Sequence, residues 1–194
     1  MPIDDEVFGP LTAFLVDDQF SVEELAEKYI AYAANARYGT EPGELRGIIL
    51  ESYVKWALER FAQGRGDFRQ APPHPGTLPY GRSYETDPNG TLRFYGPPRP
   101  DKTGRTSLNE IDALYEFNEQ PVVFEITYSR RAKHIEAKKD LVRELYNGIE
   151  PYSCKIKPQR AEGPVQRRRP YNRSIIIPRH DAEFTRAMNL ATRR

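Results

Sequence analysis

"NEIDALYEFNEQPVVFEITYSRR", residues 109–131, alternates apolar and polar side chains on either side of a short polar turn. Side chains of a strand point alternately to its two faces, so this pattern predicts a hairpin. In the second strand Val123, Glu125, Thr127 and Ser129 share one face, with Val122, Phe124, Ile126 and Tyr128 on the other. In the first, Ile111, Ala113, Tyr115 and Phe117 form the apolar face, and Glu110, Asp112, Leu114 and Glu116 lie opposite. A turn spanning Asn118 to Pro121 sets Asp112 across from Thr127 and Glu125 across from Leu114. Asp112 and Glu125 are then diagonal neighbours ~7–8 Å apart, and a slip of two residues sets them directly opposite at ~5 Å. In either register the two carboxylates can converge on one small cation, as the hard oxygen donors that Mg²⁺ accepts. The alternative is a plain amphipathic hairpin with its acids in water.

Upstream, "SVEELAEKYIAYAANARYG" (21–39) opens with a capping box from Ser21 to Glu24 and predicts a helix over 22–37. "TEPGELRGIILESYVKWALERFAQG" (40–64) predicts a second helix, from Pro42 in its first turn to a stop at Gly64. Leu50, Val54, Ala57 and Phe61 make its apolar stripe, widened by Ile48 and Leu58. Residues 65–107 are rich in proline and glycine. Within them "LPYGRSYETDPNGTLRFYG" (78–96) predicts a hairpin turning at Pro88-Asn89-Gly90. Downstream, "RRAKHIEAKKDLVRELYNG" (130–148) predicts a helix, "RSIIIP" (173–178) a buried strand, and "HDAEFTRAMNLATRR" (180–194) a last helix. Strands clustered between helices predict an α/β fold with a mixed sheet flanked by helices.

A length of 194 residues fits one domain. It divides into an N-terminal helical extension (1–40), a core (41–180) that contains the Pro/Gly-rich 65–107, and a basic region (155–194). No apolar run approaches the ~20 residues of a membrane helix, and the acidic start "MPIDDEVFGP" is unlike a signal peptide. Cys154 is the single cysteine, which excludes an internal disulfide or a cysteine zinc site and suits a cytoplasmic location. His74, His134 and His180 are scattered, and no phosphate-binding glycine loop occurs. The formal net charge of +1 hides an asymmetry. Residues 1–63 carry twelve acids against five bases, whereas residues 155–194 carry eleven bases against three acids. A basic end of this kind suits a polyanion such as nucleic acid; alternatively it neutralises the acidic end of the same molecule or of a homodimer partner.

Asp112 on one strand, followed thirteen residues later by Glu125 in "VVFEITYS" on the next, resembles the paired motifs of the PD-(D/E)XK nuclease superfamily. The order of elements from Glu44 to Pro178 is similar to that family's core: helix, three strands, helix, strand. The resemblance implies a restriction-endonuclease-like fold and a DNA endonuclease that hydrolyses phosphodiester bonds with Mg²⁺ or Mn²⁺, held by Asp112 and Glu125. It also implies a third metal ligand at Glu51 in "GIILESYVKWAL", as in the similar archaeal Holliday-junction resolvases; Glu51 is equally placed for an i,i+4 ion pair with Lys55. Thr127 stands where the family has a lysine, and a hydroxyl carries no charge. The helix after Glu125 puts Arg131, Lys138 and Lys139 on the side of Ile135 and Val142, and Lys138 is the expected replacement, against the alternative of a lysine with its head in water.

Arg130 and Arg131, with Arg167, Arg168 and Arg169 of "QRRRPYNR", are the expected nucleic-acid contacts, with Tyr171 able to stack on a base. The same stretch is otherwise a solvated loop. DNA is expected ahead of RNA. Two further expectations stand beside the nuclease: a catalytically inactive module of this fold binding nucleic acid or a protein, and a structural subunit whose charged ends meet across an oligomer.

Overall fold

The computed structural model describes residues 3–17, 23–24, 26–27, 42–71, 76–87, 90–98, 104–127, 135–159, 171–180, 186 and 189–190. A π-helical turn at Asp4–Phe8 leads into α1 (Gly9–Asp17), and α2 follows at Pro42–Ala62. Then come β1 (Phe68–Gln70), β2 (Gly76–Thr77), a 3₁₀ turn (Pro79–Gly81), β3 (Ser83–Thr86), β4 (Leu92–Tyr95) and β5 (Ser107–Ile111). β6 (Ala113–Phe117), β7 (Gln120–Ile126), α3 (Ile135–Leu145), β8 (Tyr152–Gln159) and β9 (Arg173–His180) complete the described elements.

The strands make two sheets. One has the order β1-β6-β7-β8-β9, antiparallel as far as β7 and parallel from β7 to β9; the other is the antiparallel β2-β3-β4-β5. The chain is therefore α/β with a mixed sheet, a second antiparallel sheet and flanking helices.

Both faces of the five-stranded sheet are covered. Against one lie α1 and the stripe of α2, where Phe8, Leu11, Leu50, Val54, Ala57 and Leu58 meet Tyr115, Phe124, Cys154 and Ile156. Each of these is almost wholly removed from water, worth about 1.5–3 kcal/mol for each large side chain. Against the other face lie α3 and the four-stranded sheet, where Leu92, Phe94 and Ile111 pack with Leu114, Val123, Ile135 and Val142. The stripe predicted for α2 is the buried one, and Gly64 ends the helix with φ +81°. The hairpin of β3 and β4 also forms, with Thr86 opposite Leu92 and Gly90 at φ +77°; Pro88 and Asn89 of the expected turn lie outside the described residues.

The decisive hairpin differs from its sequence reading in two ways. The turn is only Asn118-Glu119, both at positive φ, with Phe117 paired to Gln120. Such a two-residue turn matches the twist of its strands and shifts the register by two from the longer turn expected. Ala113 pairs with Phe124, so the ladder points Asp112 toward Glu125, the second of the two registers considered. The second difference is that residues 110–117 are not one strand. Ile111 belongs to the core beneath the four-stranded sheet, whereas Ala113 belongs to the core beneath α2. Two residues apart they would share a face of a continuous strand, so the chain must swivel between them, and it does so at Asp112.

Two other elements depart from expectation. Residues 3–17 form helix that the sequence reading does not predict, although Val7, Phe8, Leu11 and Leu15 recur at helical spacing and are buried. β8 was not anticipated, and its Tyr152, Cys154 and Ile156 alternate with Ser153, Lys155 and Lys157. The helix predicted over 22–37 is described only at 23, 24, 26 and 27, and the last helix only at 186, 189 and 190; all of these residues are helical.

Candidate functional site at the break between the sheets

Leaving both ladders frees the side chain of Asp112 to act as a backbone acceptor. Its Oδ2 takes the Ile126 N–H at 2.6 Å, satisfying a donor that the interrupted ladder would leave unpaired. This bond ties the break to the end of β7, one residue after Glu125. The Asp112 carboxyl is pushed up to about 8, by burial first and then by the negative charges of Glu125 and Glu51, with Lys138 and the Ile126 N–H acting the other way. Three carboxylates from α2, the break and β7 thus share one electrostatic neighbourhood.

Two of them carry their own lysine. Lys138 on the buried face of α3 forms an ion pair with Glu125, both side chains at least 85% enclosed. Lys55 reaches Glu51 at 2.6 Å one turn along α2, and its Nζ also donates to the Thr91 hydroxyl at 2.6 Å. Thr91 in turn donates to Glu51 at 3.3 Å, fastening α2 to the start of β4. Ion pairs taken this far from water gain only when each charge is matched, so removing one member strands its partner.

The parallel pairing of β7 and β8 adds a third cation. Lys155 lies opposite Glu125 in register, buried on the same face. Burial holds its ammonium below the usual lysine range, against the pull of the Glu125 charge. Its Nζ stands 5.4 Å from the ring centroid of Tyr171. The Tyr171 side chain is buried and, among the described residues, its hydroxyl has no hydrogen-bond partner, an arrangement that costs about 1–3 kcal/mol. Burial and then the charges of Glu125 and Asp112 push that hydroxyl above the usual tyrosine range. Tyr171 is fixed by its neighbour: the Asn172 side-chain oxygen accepts from both the N–H and the hydroxyl of Ser153 at 2.9 Å.

Of the residues singled out from sequence, Asp112, Glu125, Lys138 and Glu51 gather at this break. Glu51 realises its ion pair with Lys55 as well as its place beside Asp112. Lys139 does not join them; it turns to Glu150 at 2.8 Å on the outer side of α3. Glu116, on the polar face of β6, is buried and held by Arg69 and the Tyr146 hydroxyl beside a separate cavity of about 210 Å³. Tyr171 is not a surface platform for a base, because it is packed beneath Lys155. Arg130, Arg131, Arg167, Arg168 and Arg169 lie outside the described residues. Sequence reasoning missed Lys155, and the signal that could have found it is the period-two alternation of residues 152–156.

Among the described residues, no three acid, histidine or cysteine side chains are grouped closely enough to ligate one ion as they stand. The donor chemistry nevertheless suits a hard divalent cation. Asp112 has no ion pair among the described residues, and Glu125 would exchange its lysine contact for the ion. Among the described residues no helix is long and apolar enough to cross a membrane. No protein-family profile, curated protein or solved structure matches the chain.

Proposed function

We propose that the chain is a metal-dependent DNA endonuclease of restriction-endonuclease-like fold. The observation that carries this reading is the ion pair between Lys138 of α3 and Glu125 of β7, beside Asp112. Thr127 leaves the motif without its cation, and Lys138 brings one to the same acid from the next element. The mixed sheet, with three antiparallel strands followed by parallel ones and a helix between β7 and β8, supports the same reading.

In this reading Asp112 and Glu125 hold Mg²⁺ or Mn²⁺, with Glu51 at the edge of the site. The bound ion supplies an activated water and neutralises charge on the phosphodiester. The chain does the rest. The Ile126 N–H fixes the Asp112 carboxylate at the sheet break, and the helical seat of Lys138 holds its ammonium against Glu125. A charge placed in a site shielded from water stabilises developing negative charge without having to be reorganised. The basic C-terminal region, including Arg167, Arg168 and Arg169, supplies phosphate contacts, and Arg130 and Arg131 flank the site in sequence.

The test is cleavage of supercoiled, linear, single-stranded and branched DNA with Mg²⁺ or Mn²⁺. Asp112→Ala, Glu125→Ala and Lys138→Met are each expected to lower the rate by about 100-fold or more. Cleavage that persists in all three variants removes this site from consideration. A wild-type protein that binds but cuts none of these substrates would make the chain a binding module of the same fold, as the lysine pairing of two of its three acids would suit.

A further inference from the structure

The break carries one group that the nuclease reading leaves unused. Tyr171 is more than nine-tenths buried, yet among the described residues its hydroxyl has no partner. Its ring lies against Lys155, whose own place opposite Glu125 puts it on the cluster's side of the sheet. The phenol is close enough to Glu125 and Asp112 for both charges to act on it. Nothing about its position is loose. Asn172, the next residue, accepts two hydrogen bonds from Ser153 and donates its own N–H back to the Ser153 hydroxyl at 3.3 Å. A backbone pinned this firmly, carrying a donor held away from water without an acceptor, is arranged for an acceptor that arrives with a ligand.

We propose that the Tyr171 hydroxyl and the Lys155 ammonium together bind a non-bridging oxygen of the substrate phosphate at the Asp112–Glu125 site. The proposal rests on the nuclease reading for the identity of that anion. A phenol O–H and an ammonium held 5.4 Å from the centre of its ring offer two donors to one anionic oxygen, and the low-water surroundings strengthen both bonds. Lys155 lies opposite Glu125 in register, so the bound oxygen would sit beside whatever the carboxylates hold. No covalent step is assigned to either residue. Lys138 and Lys155 then have separate tasks, one against Glu125 from the helix side and the other beneath the phosphate from the neighbouring strand.

Tyr171→Phe is the most direct variant, because it deletes only the hydroxyl and leaves the buried ring. The full-length protein is compared with wild type in three measurements: thermal melting without metal, affinity for labelled DNA in Ca²⁺, and single-turnover cleavage in Mg²⁺. The expected result is a melting temperature equal to or above wild type, with a cleavage rate at saturating DNA lowered about 10- to 100-fold. Lys155→Met is expected to behave alike, with partial recovery in Lys155→Arg. Asn172→Ala, which keeps the hydroxyl but releases its tether, should fall between Tyr171→Phe and wild type. A Tyr171→Phe protein that melts lower yet cuts and binds as wild type does overturns the proposal, since the hydroxyl would then serve only the fold. If the wild type cuts no DNA, the nuclease reading fails, and the proposal is decided by binding alone. Weaker DNA affinity in Tyr171→Phe and Lys155→Met then supports phosphate recognition, whereas equal affinity, or no binding by the wild type, overturns it.

Discussion

Asp112 shows how one residue can serve fold and site together. It leaves two strand ladders so that Ile111 and Ala113 can enter different cores, and its carboxylate then caps Ile126. The same position places it among the charges of Glu125 and Glu51, which with burial raise its pKa to about 8. A carboxyl raised in the folded state binds its proton more tightly there than in the unfolded chain. Its stabilising contribution is complete below the unfolded pKa of 3.8 and is lost as the pH rises through about 8. Asp112→Asn keeps the acceptor for Ile126 and cannot ionise. In EDTA the variant and wild type should therefore melt closest together near pH 4, and the wild type should fall progressively below the variant as the pH rises to 8, by several degrees, with no further change by pH 9. A constant difference across that range would mean that Asp112 is ionised throughout. Asp112, Glu125 and Lys138 were legible in the sequence because each lies on a strand or helix whose own periodicity announces its face. Lys155 and Tyr171 were not, because only parallel pairing between distant segments brings them to Glu125.

At the scale of elements, local pattern was sufficient wherever one face alone was buried. The α2 stripe and the β3–β4 hairpin follow directly from spacing and turn residues. It was insufficient where a strand is buried on both faces. β6 and β7 are covered by α2 on one side and by α3 on the other, so Leu114 and Val123 are core residues on what reads as a polar face. β8 was passed over for a related reason: Ser153 and Lys155 point into the protein, and Pro158 stands within the strand. The register of the β6–β7 hairpin hung on the turn, and turn length is set by whether two residues will accept positive φ. Asn118 accepts it readily at +46°, but Glu119 at +69° is held there against its preference. Glu119 is exposed, so Glu119→Gly should relieve that strain without disturbing packing. The expected gain is about 1 kcal/mol, seen as a rise of about 2–4 °C in melting temperature. A loss of stability would show that the Glu119 side chain contributes more than its backbone costs.

Across the whole molecule, the acidic first third and the basic last fifth present two alternatives that contacts near the break do not separate. Either the basic end is directed at a polyanion or it neutralises acids of the same chain or of a second copy. Two of the three lysines at the break are already matched to carboxylates: Lys138 to Glu125 and Lys55 to Glu51. On the nuclease reading, long-range attraction for DNA would therefore come from cations elsewhere, and Arg167, Arg168 and Arg169 are the densest group in the sequence. Each arginine that neutralises a phosphate releases condensed counterion, so the logarithm of affinity falls with the logarithm of salt by about 0.9 per contact on duplex DNA. Replacing all three arginines by alanine should then lower DNA affinity by about tenfold or more at 0.1 M salt and flatten the salt slope by about 2–3. Cleavage at saturating DNA should change little if, as the nuclease reading has it, these arginines hold substrate and do not act on the reacting phosphate. An unchanged slope would assign their charge to the acidic end of the chain. In that case the triple variant should lose thermal stability, or change its oligomeric state by light scattering, with its DNA affinity unaltered.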